Sequence, residues 1–477
     1  MRFQVERDAL ADAVAWVSRA LPGRPVIPVL SGLLLTAADG LTLSCFDYEV
    51  SARVQVDAKV VEPGVVLVPG RLLAEITRSL PSLPVEFADD PEGVSLTCGS
   101  ASFTLVTLPV EDYPDLPGLP QAAGTVDGGA LAAAIGQVAP AASRDDTLPL
   151  LTGVNIEVNG KTMTLAATDR YRLAVRDLRW NPVRPGITGA FLVPARTLAD
   201  AAKTMSAGTP VTIKLRSDGG LGGTSGDGED EAGGDRGRGA ARPDGAAGAG
   251  EPAGAGAADA MIGFETGGRR LTTRLIAGEF IRYRSRFPSD FGCRADMPAG
   301  QFAEAVRRVS LVAERGSPVR LSFGGGEVTI EAGTQGRARA REMVPADFEG
   351  AEPVIAFNPH YLLDGITAAA ITTAAPDADG SASVPHGGSP HREDPSSPAG
   401  ADPAGITDVE RGDRGTASHS PVACIRLEFT SATKPAVITG IHADQPAGAG
   451  SAAPGGDGPA VPDFRYLVVP LRAPAPQ

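Results

Sequence analysis

The chain has 477 residues, with 43 lysines and arginines against 57 aspartates and glutamates, and a formal net charge of −14. That length predicts about three cores rather than one, and the acidic balance excludes a molecule coated in basic surface, though not a local basic lining that binds phosphates. Four scattered cysteines, Cys45, Cys98, Cys293 and Cys424, form no CxxC pair, which argues against a disulfide framework or thiolate metal site and suits a reducing compartment.

The first residues, MRFQVERDALADAV, carry charges where a signal peptide needs an apolar run. No stretch approaches the ~18 apolar residues of a membrane span, so a cytoplasmic protein without membrane contact is expected. Residues 3–5 alternate like a strand, and 8–20 place Leu10, Val14 and Val17 at helical spacing until Pro22 and Pro25. Residues 29–36 read as an apolar strand and Ala38-Asp39-Gly40 as a hairpin turn. Next comes LTLSCFDYEVSARVQV (41–56), a strand, a polar corner and a returning strand, and then an apolar strand running into a helix at 66–80. Strands at 85–87, 94–98 and 102–108 follow, and the proline-rich EDYPDLPGLP closes the segment near residue 120.

The middle of the chain repeats this order: helix 129–138, strand 152–158, turn Asn159-Gly160, then MTLAATDRYRLAVRDL (163–178) and strand-to-helix at 191–205. The last third does so again, with helix 299–309, strand 319–323, VTIEAGTQGRARAREM (328–343) and strand-to-helix at 355–369. A supersecondary unit repeated three times organises the chain. The expected fold class is α+β, as three repeated domains at 1–120, 121–290 and 291–477. Three tracts, at about 217–260, 374–420 and 445–462, consist mainly of Gly, Ala, Pro, Ser and Asp. They cannot bury enough surface to offset the entropy of ordering, and are read as disordered insertions.

Signatures of catalysis come up short. Gly160-Lys161-Thr162 ends like a phosphate-binding loop, but the glycine required five positions before Gly160 is Asn155. His386, His391 and His419 sit in the inserted tracts, and His360 and His442 have no partner at metal-ligand spacing. Asp47 and Asp169 could be imagined as acid and base. They hold the same place in two copies of a repeat, however, and a shared corner whose aspartate caps backbone N–H groups explains them better. No catalytic residue, metal or cofactor is expected.

The cations say more. Arg71 and Arg78 lie seven apart on one helix, and Arg196 and Lys203 repeat that spacing, so each pair presents two charges to one face. Taken singly this is an ordinary solvated face; repeated, it suggests a phosphate-facing surface. The third copy has Pro359 and Ile366 at those places, so the lining is uneven. Arg337, Arg339 and Arg341 alternate along a strand and read as a solvent-facing sheet surface. The apolar ending YLVVPLR must pair in a sheet or line a groove, and Pro470 argues against an ordinary central strand.

In this order and spacing, FQVERDALADAV, GRPVIPVLSGLLL, TLPVEDYPDLP, LAATDRYRLAVRDLRW, FLVPARTLADA, GEFIRYRSRFP, VIAFNPHYLLDGI and YLVVPLR resemble the bacterial DNA polymerase III β-subunit family, the sliding clamps, in their actinobacterial style. The resemblance implies a head-to-tail homodimer closing a ring, with helices lining the inside and antiparallel sheets outside. Such a ring encircles duplex DNA without sequence preference and catalyses nothing. It tethers the polymerase III α subunit, the clamp loader and other proteins carrying clamp motifs, as a processivity factor in DNA replication. Arg24 matches a DNA contact of the family, to which helix spacing adds Arg71, Arg78, Arg196 and Lys203.

The family's peptide cleft, carried over by motif, comprises Leu151, Thr168, Arg170, Tyr171, Arg172 and Leu173, with Ile281, Ser285 and Arg286, and Asn358 and Tyr361. Leu467, Val468, Val469, Pro470, Leu471 and Arg472 form its floor. Subunit contacts match Phe103 and Leu105 with Leu311 and Val312. Ile281 stands where the family commonly has proline and Arg286 where an apolar residue is usual; the inserted tracts and the APAPQ tail are further departures. These leave an alternative open: a clamp-like paralogue that binds peptide motifs without serving as the main replicative clamp.

Overall fold

The computed structural model describes residues 1–118, 120–215, 260–314, 316–334, 337–351, 353–371, 424–441 and 463–471. The three inserted tracts lie outside those residues (Ala260 excepted), as do His386, His391, His419, His442 and the tail from Arg472. Six helices occur among the described residues: α1 Arg7–Val17, α2 Gly70–Ser79, α3 Gly128–Val138, α4 Ala195–Ala202, α5 Ala299–Ser310 and α6 Pro359–Ala369. They pack as three pairs, α1 with α2, α3 with α4 and α5 with α6, over antiparallel strands. α2 and α5 are amphipathic for a reason visible in their residues. α2 buries Leu73, Ile76 and Thr77 and exposes Arg71 and Arg78, while α5 buries Phe302, Val306 and Val309.

The strands repeat as well. Each third contributes a four-stranded half-sheet built round its corner hairpin; in the second third the order is Thr188–Pro194, Gly153–Asn159, Thr162–Thr168 and Arg172–Arg179. The last strand of that half-sheet then pairs with the final strand of the next third. Val50–Val56 pairs with Arg269–Arg274, setting Ala52 opposite Leu271. Arg172–Arg179 pairs with Phe464–Val468, setting Ala174 opposite Tyr466. Two nine-stranded sheets therefore bridge the thirds, and they share one continuous core with the helices. The register copies itself from junction to junction, so Val50 corresponds to Arg172, Ala52 to Ala174 and Leu271 to Tyr466.

The three-fold repeat and the α+β arrangement are as expected, and some local readings are not. Residues 29–36 begin as a 3₁₀ turn, Pro28–Ser31, and become strand only from Gly32; Pro28 fixes its φ and the Ser31 hydroxyl donates to Pro28 O at 2.7 Å. An edge strand, Ala58–Glu62, pairs with Arg2–Val5; it is too exposed to show an alternating pattern. The terminal strand Phe464–Val468 is central, flanked by Arg172–Arg179 and Ala436–Ile441. It ends before Pro470, so that proline takes no N–H from the ladder.

Candidate functional site

The corner at Thr168–Arg172 is an aspartate-capped turn. Asp169 Oδ1 accepts from the backbone N–H of Tyr171 at 3.0 Å and of Arg172 at 3.1 Å. Asp47 does the same for Glu49 at 3.0 Å and Val50 at 2.7 Å. The residue after each aspartate is left-handed, Arg170 at φ 81° and Tyr48 at φ 73°, a conformation that costs a side chain about 1–3 kcal/mol and persists only where the surroundings fix it. The aspartates are scaffold, as the repeat suggested.

Beyond the corner, strand alternation divides the residues between two faces. Arg172 turns to the helix side and is buried. Its Nε donates to Asp169 Oδ2 at 3.0 Å, Nη1 to Asp364 Oδ2, and Nη2 to Pro140 O. Its guanidinium lies 4.6 Å from the Tyr361 ring centre, and Tyr466 OH is 3.4 Å from Nη1. Burial disfavours the charge, yet Tyr466, Asp364 and Asp169 together hold the pKa above the ordinary arginine value. Arg172 thus fastens the turn after α3, Ala139–Ala141, to α6, and its charged groups are taken up within the chain. Val468, directly opposite, is likewise a core residue. Tyr466 fits beneath α6 because position 365 is glycine, where a Cβ would stand 2.5 Å from the Tyr466 ring. Gln137, which the sequence did not single out, ties the same helices by donating to Ala368 O at 2.9 Å and Ile371 O at 3.2 Å.

The opposite face carries Leu173, Val175, Ala166 and Leu467, joined by Tyr283 and flanked by Phe280, Phe287 and Val469 in an apolar cluster of its own. Tyr283 donates to Glu157 at 3.1 Å, Arg284 pairs with Glu157 at 2.6 Å, and Arg465 lies 4.8 Å over Phe287. Burial, then Glu157, pushes the Tyr283 phenol above its usual pKa. Val175 and Phe280 were not named from sequence, and Tyr283 and Phe287 fell only within the YRSRFP segment expected to join the cleft. The signal was there in the two-residue step from Leu173 and in the aromatic spacing of FIRYRSRF, but only the fold shows that these meet.

The remaining expected residues scatter around this cluster. Tyr171 is half exposed and stacks on Tyr361 at 6.2 Å, and Val469 N–H donates to Tyr171 O at 2.9 Å. Ile281, Ser285 and Arg286 are exposed on the segment that bounds the cluster, and Arg170 is exposed at the corner. Pro470 and Leu471 are partly exposed, and Leu471 N–H donates to Ala356 O at 2.7 Å. Leu151 is buried in the 3₁₀ turn Pro149–Leu151. Thr168 is buried, its hydroxyl donating to Arg172 O at 2.6 Å. The Asn358 side chain caps α6 by accepting from His360 N–H at 3.0 Å. Thr168 and Asn358 are therefore occupied in holding the fold. Arg472 lies outside the described residues.

Among the described residues this apolar face occurs at one of the two junctions. At the other junction the matching lattice positions are Ser51 opposite Thr272 and Ser44 opposite Arg53, in place of Leu173 opposite Leu467 and Ala166 opposite Val175. Hydroxyls there offer no dry surface to an apolar side chain.

On the helix side Arg24, Arg71, Arg78, Arg196 and Lys203 are all exposed. Arg71 Nη2 donates to Pro22 O at 2.9 Å, drawing α2 to the loop that carries Arg24. Lys203 pairs with Asp200 at 2.6 Å. In register with Asp200 and Asp364, the places of Arg196 and Lys203 fall in α6 to His360 and Thr367, both exposed, rather than to the buried Pro359 and Ile366, so the third pair has neither arginine nor lysine there. Of the expected subunit contacts, Leu311 is 81 % exposed and Val312 partly so. Leu105 is 2 % exposed and Phe103 packs on the same core; both face inward, because alternation sends positions 103 and 105 to the helix side. No group of three His, Cys, Asp or Glu residues able to hold a metal ion occurs among the described residues.

Comparison with known proteins agrees over the whole chain. Family models of the DNA polymerase III beta subunit match three times: the N-terminal domain over 1–117, the central domain over 125–281 and the C-terminal domain over 284–375. The chain is 43 % identical to a beta sliding clamp of Streptomyces coelicolor over 99 % of both chains. It is 44 % identical to that of Micrococcus luteus over 73 % of this chain and all of the relative. The Streptomyces muensis protein described as beta sliding clamp homolog GriR is 42 % identical over 77 % of this chain and 88 % of its own. In fold it matches the DNA polymerase sliding clamp of Bacillus subtilis, with a TM-score of 0.70 at 21 % identity over 99 % of both chains. The Pseudomonas aeruginosa clamp bound to griselimycin gives 0.70 at 22 % identity over 99 % of this chain and 100 % of that one.

Proposed function

The chain belongs to the DNA polymerase III β-subunit family, the bacterial sliding clamps, and on that premise we propose how its surfaces divide the work of a clamp. A sliding clamp is a processivity factor in DNA replication; it holds duplex DNA topologically and performs no reaction. Its inner face must therefore contact phosphates weakly and without reading sequence. Arg24, Arg71, Arg78, Arg196 and Lys203, exposed on or beside α2 and α4, suit that task within an acidic chain. The domains are 1–120, 121–290 and 291–477, and the protein works in the cytoplasm; no helix among the described residues is long and apolar enough to cross a membrane.

The observation that carries ring closure is the repeated strand pairing. In both junctions the last strand of a four-stranded half-sheet meets the last strand of the following five-stranded one. Among the described residues, two strands at such positions are left without a partner: Ala338–Pro345 at one end and Ala101–Leu105 at the other. Continuing the pattern pairs Ala338–Pro345 of one copy with Ala101–Leu105 of a second, twice, which closes a ring of six domains. An open edge strand invites such a partner, and the exposed Leu311 stands beside α5 to cover the joint.

The apolar cluster round Leu173, Val175, Leu467 and Tyr283 takes short segments of the polymerase α subunit, the clamp loader and other replication proteins, by anchoring leucine or phenylalanine side chains. The Streptomyces coelicolor relative matches over 99 % of both chains, so the length of the present chain does not by itself mark a specialised copy. Loading onto nicked circular DNA, followed by linearisation, tests the reading. A clamp stays on the circle, with the mass of a dimer, and is released when the circle is cut. A monomer that binds clamp-motif peptides but is never retained would point to the paralogue instead.

A further inference from the structure

The two junctions inside the chain share one lattice but not one filling. Where the second is plugged by Arg172, the first has Val50. Where Tyr466 and Tyr361 close round that guanidinium, the first has Leu271 and, three residues before Asp200 as Tyr361 is before Asp364, Thr197. The two acids are kept: Asp47 for Asp169 and Asp200 for Asp364. Large groups have been replaced by small ones around an unchanged pair of carboxylates, and the result is a cavity of about 230 Å³ lined by Trp16, Asp47, Val50, Thr197, Asp200 and Leu271.

Asp47 is half prepared for an occupant. Its Oδ1 caps Glu49 and Val50 N–H, as Asp169 Oδ1 caps its own corner. Asp169 Oδ2 then receives Arg172 Nε, whereas Asp47 Oδ2 has no hydrogen-bond donor among the described residues. Among the described residues Asp200 pairs only with the exposed Lys203. At the mouth stand Arg19 and Arg196, both exposed. The pocket therefore offers acceptors within, an indole wall at Trp16, and two cations at its rim.

We propose that this junction cavity is an open guanidinium socket that binds a small guanidino compound with an anionic far end, its cation between Asp47 and Asp200 and its anion toward Arg19 and Arg196. The second junction shows the same lattice holding a guanidinium supplied by the chain itself. A planar fork of N–H donors matches two carboxylates better than a point charge does, and the rim arginines select against ligands that carry only positive charge.

L-Arginine is the probe, titrated into the full-length chain by calorimetry. Citrulline, the neutral isostere, and agmatine, which lacks the carboxylate, are the controls. Saturable binding of arginine is expected, weakened about tenfold or more for citrulline and for the Asp47→Asn variant. Val50→Arg should abolish it by filling the socket, and should raise the unfolding midpoint in a wild-type background but not with Asp47→Asn. Neither residue lies on the surfaces assigned to DNA or peptide, so retention on circular DNA stays unchanged. Absence of saturable arginine binding, or equal binding by Val50→Arg, overturns the proposal, as does a midpoint that Val50→Arg lowers in both backgrounds.

Discussion

Replacing Arg172 by alanine separates a structural role from a ligand contact. The side chain is 9 % exposed and pairs with Asp169, 12 % exposed, and Asp364, 43 % exposed. Breaking a buried ion pair by removing one partner costs about 3–5 kcal/mol. Asp364 can rehydrate in place, and Asp169 keeps two backbone N–H donors, so the lower end applies: about 3 kcal/mol, or a factor of about 150 in a local equilibrium. A chain of three domains need not unfold in one step, so the loss is best read where it arises. Hydrogen exchange should quicken at amides of the Arg172–Arg179 and Phe464–Val468 pair and in α6, while those of the first third stay protected. Arg172→Lys should recover only part, since an ammonium cannot reach both carboxylates and Pro140 O in one plane. If Arg172→Ala leaves protection within about 0.5 kcal/mol of wild type yet abolishes binding of a clamp-motif peptide, Arg172 is a ligand contact after all and the reasoning fails.

Other outcomes follow from the same geometry. Leu467→Asp puts a carboxylate in the dry cluster and should remove peptide binding while leaving the dimer mass unchanged; peptide affinity equal to wild type would move the site elsewhere. Arg71→Ala should shorten retention on circular DNA at moderate salt and lower the salt slope by about 1; an unaltered slope would take Arg71 off the DNA. Burial raises the pKa of Tyr113, Tyr283 and Tyr466. Unfolded tyrosines ionise near pH ~10, so their contribution is full below that pH and is lost above it as the unfolded chain sheds protons first. Alkaline titration of stability should show that decline, shallower in Tyr283→Phe. Burial also pushes the Cys45 thiol up to about 12. Ellman's reagent at pH 8 should thus leave Cys45 intact in the native chain while modifying the partly exposed Cys424.

Sequence by itself determined the repeat. Each copy carries its own alternation, turn residues and amphipathic helix, and these act over a few residues, so the hairpin corner with its capping aspartate was legible at Asp47 and Asp169 alike. It also showed which copy departs, at Arg170, Tyr171 and Arg172. Only the tertiary structure decided what the departures do. Leu173 and Arg172 are adjacent in the chain, yet the strand sends one to the apolar cluster and the other beneath α6. Which face is which depends on strands from nearly 300 residues away, because Leu467 completes the first environment and Tyr466 the second. Phe103 and Leu105 sit on an edge strand whose exposure only the fold reveals, Leu105 buried and Phe103 partly exposed. The empty place between Asp47 and Asp200 has no linear signature either. It becomes visible only when two junctions, built from the same lattice by distant segments, are laid over each other and one is found to lack its arginine.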